Sequence, residues 1–300
     1  MSQQVNVYRK LKFFSGAVVA GLGEIPGRGS TYYVNGGSDG PTNNNGTGES
    51  ATDPKQTIKA ALALCTSNYN DTIYVLNYGS NARAVEDWPI VVNKDQVHII
   101  GVGTKPNKWA TVTVLTATTN TSAFRIAAQR VEIAGLEIGG TGTGAGIEFT
   151  TPGWHGCYIH DCWFGMSDGI GTNGIKVTAA GGDAPRIRIE DCDFGMLLTG
   201  SGVIVASTFG AIVGNRFLRC VGAAMTVNGD GVQILDNQIC MDSDTTGHGI
   251  VLGSGASNCY IDGNHVASQK TATTANYGFI DGGTNNAWGI NYSGIVADLP

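Results

Sequence analysis

Two stretches, Cys157-Tyr-Ile-His-Asp-Cys-Trp-Phe164 and Ile187-Arg-Ile-Glu-Asp-Cys-Asp-Phe194, are copies of one pattern, in which apolar residues surround a fifth position that is Gly or Asp. The other four copies are Val131-Glu-Ile-Ala-Gly-Leu-Glu-Ile138, Gly210-Ala-Ile-Val-Gly-Asn-Arg-Phe217, Val232-Gln-Ile-Leu-Asp-Asn-Gln-Ile239 and Cys259-Tyr-Ile-Asp-Gly-Asn-His-Val266. The fifth residues, at 135, 161, 191, 214, 236 and 263, are separated by 26, 30, 23, 22 and 27 residues. This period predicts a solenoid, because strands so short are stable only when they pair with their copies in neighbouring coils.

A second, weaker repeat lies between these copies and consists of a glycine followed by a short strand. Its members are Gly146-Ile-Glu-Phe, Gly174-Ile-Lys-Val, Gly202-Val-Ile-Val, Gly249-Ile-Val-Leu and Gly289-Ile-Asn-Tyr. Stacked parallel strands place equivalent residues about 4.8 Å apart, so the aligned repeats predict contacts between coils. The residues after the fifth position include Asn215, Asn237 and Asn264, which we expect to form a ladder of hydrogen-bonded amides.

Composition supports an all-β chain. The 300 residues include 45 glycines, only 14% are charged and 42% are hydrophobic. This excludes a disordered chain, which needs high charge, and a helical bundle, which does not tolerate so much glycine. The net charge of −6 argues against a nucleic-acid groove, and no apolar run is long enough to span a membrane. The seven cysteines lack metal-ligand spacing and are interpreted as buried thiols, with a disulfide framework as the alternative.

The order of segments predicts four regions. Residues 1–29 read as an arm whose apolar residues dock elsewhere; a signal peptide and a folded-back terminus are the alternatives. The candidate attachment residues are Phe13, Phe14, Val18, Val19 and Leu22. Residues 30–71 hold a strand at 30–35, a polar loop, and a helix opened by Pro54 with Asp53 as its N-cap. Residues 72–267 form the coils, and residues 268–300 form a terminating segment.

The repeat spacing, the Ile/Val columns and the Asn column resemble the right-handed parallel β-helix of the pectin-lyase-like superfamily. The opening Tyr32-Tyr-Val-Asn, the Gly/Asn/Ser loop and Asp53-Pro-Lys-Gln-Thr-Ile-Lys-Ala-Ala resemble the cap of that fold. The resemblance is greatest to bacteriophage virion-surface and tailspike-type proteins, and it covers about residues 30–267. It implies an all-β, right-handed parallel β-helix solenoid with one N-terminal capping helix. It also implies a homotrimer, with polysaccharide cleavage as the alternative function.

Catalytic motifs of the superfamily are mostly missing. The chain has no Asp-Asp dipeptide, Gly171-Thr-Asn-Gly-Ile-Lys176 has Asn173 where an Asp is expected, and Gly247-His-Gly249 stands alone. His248 is therefore interpreted as a turn residue. No aligned column holds acids dense enough for calcium, so no metal or cofactor is predicted.

One aligned patch mixes aromatic and charged residues that suit a glycan. Its members are Tyr158, His160, Trp163, Arg188, Glu190 and Asp193, and Glu190, Asp193 and His160 are its weak catalytic candidates. A solvated face and a subunit contact are the alternatives for this patch.

The leading functional prediction is a structural protein of a bacteriophage virion, placed on the capsid or tail. Such a protein is assembled in the host cytoplasm, is held to other virion proteins by residues 1–29, and contacts host surface polysaccharide. A polysaccharide lyase or glycoside hydrolase is the alternative, and a glycan-binding module without turnover is a third reading.

Overall fold

The fold is taken from a computed structural model that describes residues 29–102, 112–115, 120–149, 155–165, 172–178, 186–195, 200–241, 248–268 and 278–295. The five predicted attachment residues between Phe13 and Leu22 lie outside these ranges. Within them, strands numbered along the chain form three parallel sheets, named A, B and C.

From β2 onward, successive strands along the chain belong to different sheets, so each sheet gains one strand per coil. Sheet A contains β1 (Thr31–Gly36), β2 (Thr72–Tyr78), β4 (His98–Gly101), β7 (Glu132–Ala134), β10 (Tyr158–His160), β13 (Arg188–Glu190), β16 (Ala211–Val213), β19 (Gln233–Leu235), β22 (Tyr260–Asp262) and β25 (Ala287–Trp288). Sheet B contains β3 (Ile90–Val92), β6 (Phe124–Ile126), β9 (Ala145–Phe149), β12 (Asn173–Val177), β15 (Val203–Val205), β18 (Met225–Val227), β21 (Ile250–Leu252) and β24 (Phe279–Asp281). Sheet C contains β5 (Val112–Leu115), β8 (Leu136–Gly139), β11 (Trp163–Phe164), β14 (Asp193–Phe194), β17 (Arg216–Leu218), β20 (Gln238–Met241), β23 (His265–Ser268) and β26 (Tyr292–Ile295).

A single left-handed residue turns the chain from sheet A towards sheet C in each repeat. These residues are Gly135, Asp161, Asp191, Gly214, Asp236 and Gly263, whose φ values are 66°, 50°, 49°, 66°, 55° and 68°. They are the fifth residues of the sequence pattern, and Gly and Asp are among the residues that best tolerate this conformation. The turn explains why the pattern accepts only these two types, and the predicted register of the strands on both sides is confirmed.

Apolar columns fill the solenoid. From β2 to β22, the sheet A strands share one column of fully buried isoleucines: Ile73, Ile99, Ile133, Ile159, Ile189, Ile212, Ile234 and Ile261. On sheet C, Phe164, Phe194 and Phe217 stack with centroids 4.8 and 4.6 Å apart. All seven cysteines are free thiols, and six of them are buried.

Amides form a continuous ladder beside the core. Asn215 Nδ2 donates to Asn237 Oδ1 (3.0 Å), and Asn237 Nδ2 donates to Asn264 Oδ1 (2.8 Å). Asn264 Nδ2 donates in turn to Asn291 Oδ1 (2.9 Å), a residue that the sequence analysis did not include. The ladder lets four amides run alongside an apolar core without losing their hydrogen bonds.

The first helix starts later than predicted. Helix α1 spans Ile58–Leu64, and its N-cap is Thr57, whose side chain accepts a hydrogen bond from Ala60 N. Asp53 is not the cap, because its Oδ2 accepts hydrogen bonds from the backbone and hydroxyl of Thr47. A parallel bridge between Val34 and Lys55 keeps the chain extended before the helix. A second helix, α2 (Ser80–Val85), was not predicted.

The coils also continue past Ala267, where the sequence analysis ended them. Strands β24, β25 and β26 add one strand to each sheet. Gly289 belongs to the turn before β26 rather than to the glycine repeat of sheet B. In this coil Trp288 takes the column of Ile261, and its Nε1 donates to Asp281 Oδ2 (2.8 Å). A residue able to form a polar contact therefore replaces isoleucine at the last described sheet A strand.

Candidate functional site

Polar and aromatic side chains gather on the outer face of sheet A in four consecutive strands. In β4, β7, β10 and β13, the first paired residues are His98, Glu132, Tyr158 and Arg188. The third residues of β10 and β13 are His160 and Glu190. We call these six residues the sheet A cluster. They lie together because parallel pairing in register stacks one residue of each coil on the next.

Glu132 joins two histidines. Its Oε2 lies 2.5 Å from His98 Nδ1, and its Oε1 lies 2.8 Å from His160 Nε2. The other ring nitrogen of His160, Nδ1, lies 2.8 Å from Asp161 Oδ2. Because both nitrogens of His160 face carboxylates, both must carry protons, and the ring is an imidazolium.

The pKa values of this pair support the assignment. Hydrogen bonds from His160 and His98 lower the pKa of Glu132 to about 2. Partial burial alone would lower the pKa of His160, but its hydrogen bonds to Asp161 and Glu132 outweigh burial and raise the pKa to about 9. At neutral pH both groups are therefore charged and form an ion pair.

Glu190 is held by a second set of contacts. It accepts hydrogen bonds from Tyr158 OH at 2.5 Å and from Arg188 Nε and Nη2 at 2.8 and 2.7 Å. The bonds from Arg188 and Tyr158 lower the pKa of Glu190 to about 2. Partial burial, and then the bond to Glu190, raise the pKa of Tyr158 to about 12. The Tyr158 ring stacks on His160 with centroids 4.1 Å apart, which places an imidazolium against an aromatic face.

Two residues of the predicted patch lie elsewhere. Trp163 and Asp193 pair with each other in sheet C, and they are only 7% and 8% exposed. They are therefore not on the open face formed by Tyr158, Arg188 and Glu190. Strand alternation gives the direction of a side chain from the sheet, but it does not say whether that side is covered.

The sequence analysis left out two members of the cluster. His98 belongs to Val97-His-Ile-Ile-Gly101, an earlier copy of the repeat, and Glu132 shares the column of Tyr158. The signal was the alignment itself, because extending the column by one copy places His98 over Glu132. The sequence was enough to predict that His98 and Glu132 share a column, but not that the Glu132 carboxylate bridges two histidines.

Comparison with known proteins addresses the fold. No protein-family model and no curated protein matches the sequence. Among solved structures, one titled "Rhamnogalacturonan lyase" is similar over 80% of this chain and 69% of the other, with a TM-score of 0.60 and 12% identity. The chain is therefore a parallel β-helix. At this identity the likeness establishes the fold alone.

Two further structures are more distant from this β-helix. DFA-IIIase from Arthrobacter chlorophenolicus A6 without its lid has a TM-score of 0.48 and 12% identity over 72% of this chain and 52% of the other. "Geobacillus virus E2 - ORF18" has a TM-score of 0.45 and 13% identity over 77% and 57%. The β-helix spans little more than half of either protein.

Asn173 and His248, which the sequence analysis compared with catalytic motifs, lie at the start of sheet B strands or just before them. Asn173 is buried at the start of β12, and its Oδ1 accepts a hydrogen bond from Ser201 N at 3.0 Å. His248 precedes β21 in sheet B, and its carbonyl accepts a hydrogen bond from Ala224 N. In the described ranges, no group of three or more His, Cys, Asp or Glu side chains is placed to hold a metal ion. No helix there is both long and apolar enough to cross a membrane.

The ion pair of His160 predicts a pH-dependent stability. His160 binds its proton more tightly in the folded chain than in the unfolded chain, where the histidine pKa is about 6.5. The stabilisation is therefore fully present below pH ~6.5 and is lost as pH rises through about 9. We expect the β-helix to lose about 1–2 kcal/mol across this range.

Urea unfolding at a series of pH values measures this loss, with His160→Gln as the control. The variant keeps all seven cysteines, so their ionisation at alkaline pH affects both proteins equally. The difference in unfolding free energy between the two proteins should shrink between neutral pH and pH ~9.5. A constant difference would show that His160 carries no charge-dependent stabilisation.

Proposed function

We propose that the protein is a surface component of a bacteriophage virion that binds a glycan through the sheet A cluster. The observation that carries the proposal is the stacked pair of Tyr158 and His160 beside the half-exposed guanidinium of Arg188. Sugars pack their C–H faces on aromatic rings and form hydrogen bonds at the rim. The cluster offers both kinds of group on one face.

The geometry favours binding because the side chains hold one another in place. Arg188 donates from Nε and Nη2 to Glu190, and half of its side chain is exposed. A ligand can therefore reach a guanidinium whose position is already fixed. Groups that are already ordered lose little conformational entropy when they bind.

The acid–base properties of the cluster support binding rather than turnover at this place. A general acid or base is most effective when its pKa lies near the working pH. Glu132 and Glu190 have pKa values of about 2, and His160 has a pKa of about 9. At neutral pH neither carboxyl can donate a proton, and His160 cannot accept one.

The virion assignment rests on the resemblance of the repeats and on the proposed arm at residues 1–29. The arm would hold the protein to other capsid or tail proteins, and a homotrimer would be the assembled form. Particles assembled with the full chain should retain it, whereas a chain lacking residues 1–29 should be lost from them. Equal retention of both chains would refute the arm as an anchor.

Replacement of Arg188 by alanine tests glycan binding. The variant removes the guanidinium, and we expect at least a tenfold loss of affinity, since a hydrogen bond from a charged group contributes about 1.5–3 kcal/mol. The probes are immobilised bacterial lipopolysaccharides and capsular polysaccharides, and the measurement is the dissociation constant on each surface.

Arg216→Ala is the control for that experiment, because Arg216 is an exposed arginine on sheet C, outside the cluster. This variant should bind as the original protein does. An equal loss in both variants would indicate a general effect of charge, and full binding by Arg188→Ala would place the site elsewhere.

A second candidate function is polysaccharide cleavage, which is favoured by the likeness to the structure titled rhamnogalacturonan lyase. The candidates are Glu190, Asp193 and His160. Incubation with rhamnogalacturonan, followed by size analysis of the products, tests this function. Cleavage that is lost in a Glu190→Gln, Asp193→Asn variant would support it, whereas an intact polymer after incubation with the original protein would count against it.

A further inference from the structure

Phe209 stands in an unfavourable backbone conformation. Its φ is +52°, and 53% of the residue is exposed. The same position, two residues before a sheet A strand, is left-handed in other coils, where it holds Gln96, Arg130, Gly156, Gly231, Asn258 and Asn285. Gly and Asn are the usual residues in this conformation, whereas a bulky side chain is strained there. An exposed, strained phenylalanine gains nothing from the core and therefore calls for another role.

The neighbouring coil is shaped to receive the ring. A Cβ atom added to Gly231 would lie 2.7 Å from Cδ1 and 2.8 Å from Cε1 of Phe209. Only glycine at this position lets the ring lie against the backbone of the next coil. The contact fixes the ring on one side and leaves the rest of it in solvent.

The residue that pairs with Phe209 through the backbone carries an oriented carboxylate. The backbone N–H of Phe209 donates to the carbonyl of Asp230 at 2.7 Å, so the two residues are neighbours in adjacent coils. The carboxylate of Asp230 accepts hydrogen bonds at Oδ1 from Ser257 Oγ (2.7 Å) and Asn258 Nδ2 (2.8 Å). No other described residue bonds this carboxylate, so Oδ2 is available as an acceptor.

We propose that Phe209 and Asp230 form a binding subsite for a neutral pyranose sugar. The C–H face of the sugar packs on the exposed part of the ring, and a sugar hydroxyl donates to Asp230 Oδ2. The carboxylate disfavours a uronic acid at this place, because two like charges would meet. The subsite contains no residue of the sheet A cluster, so its test is independent of the proposed function.

Phe209→Asn is the informative variant, because asparagine is the natural residue of Asn258 and Asn285 at the same position. The full chain is titrated with methyl β-D-galactopyranoside and methyl α-D-glucopyranoside, and binding is followed by saturation-transfer NMR. We expect the original protein to bind at least one of the two, and the variant to bind it at least tenfold more weakly. The melting temperature of the variant should stay equal or rise, since the strain is relieved.

Tyr69→Asn is the control, since it removes an aromatic residue that is 62% exposed in a different loop. This variant should bind as the original protein does. Asp230→Asn should weaken binding as well, and it gives an answer that does not depend on the ring.

Several outcomes would overturn the subsite. They are an original protein that binds neither glycoside, a Phe209→Asn variant that binds unchanged, and a variant whose melting temperature falls together with its binding. Tighter binding of methyl galacturonate than of the galactoside would refute the neutral class of ligand.

Discussion

Replacement of Phe194 by alanine is expected to lower the free energy of unfolding by about 4 kcal/mol, the largest loss predicted for a single residue. The ring is fully buried between Phe164 and Phe217, with centroids 4.8 and 4.6 Å away and interplanar angles of 7° and 6°. Truncation removes contacts with both neighbours and leaves a cavity between coils that pair through a rigid backbone. Such a cavity cannot collapse without breaking strand register.

Equilibrium unfolding in urea measures this change, and Phe194→Leu is its control. Leucine retains most of the buried apolar volume, so that variant should lose only about 1–1.5 kcal/mol. Equal losses in the two variants would mean that the volume of the ring is not what stabilises these coils.

The phenylalanine stack explains why the sequence carries two repeats. A Cβ added to Gly174 would lie 2.6 Å from Cδ1 of Phe194, and Gly146 and Gly202 approach Phe164 and Phe217 in the same way. The glycine at the start of each of these sheet B strands, or just before it, makes room for the ring of a sheet C strand. The two repeats are therefore two sides of one packing arrangement, and each requires the other.

Pairing and register could be predicted because they depend on periodic features of the sequence. The offset between the left-handed turn and the flanking apolar residues is constant, so alignment of the copies gave the pairing of Tyr158 with Arg188 and of His160 with Glu190. Such pairing is local to each repeat and does not depend on loops. The alignment failed only where a repeat lost its pattern, as at Gly289.

Other features depend on contacts that no repeat encodes. The burial of Trp163 and Asp193 is set by what covers sheet C, and alternation along a strand does not contain that information. The bridge of Glu132 between His98 and His160 depends on side-chain rotamers. The start of α1 at Ile58 is fixed by a bridge to β1 that lies outside the helix itself.

Replacement of Asn237 by alanine is expected to cost about 3 kcal/mol, because several buried partners lose their hydrogen bonds at once. The Asn237 side chain donates to Ile212 O (2.9 Å) and to Asn264 Oδ1 (2.8 Å). It also accepts at Oδ1 from the backbone N (2.9 Å) and from Nδ2 (3.0 Å) of Asn215. Asn237 is fully buried, so water cannot replace these bonds in the variant.

Asn291→Ala is the control that separates burial from hydrogen bonding. The Asn291 side chain makes the equivalent bonds: it donates to Ile261 O and accepts from the backbone N and Nδ2 of Asn264. It is only half-buried, however. Water can reach its partners, and we expect a loss of about 1 kcal/mol in urea unfolding. If Asn237→Ala lowered the free energy of unfolding no more than Asn291→Ala, burial would add nothing to the stabilisation by the ladder amides. A larger cost at Asn237 would show that the amides stabilise the solenoid because each one satisfies a neighbour that no solvent can reach.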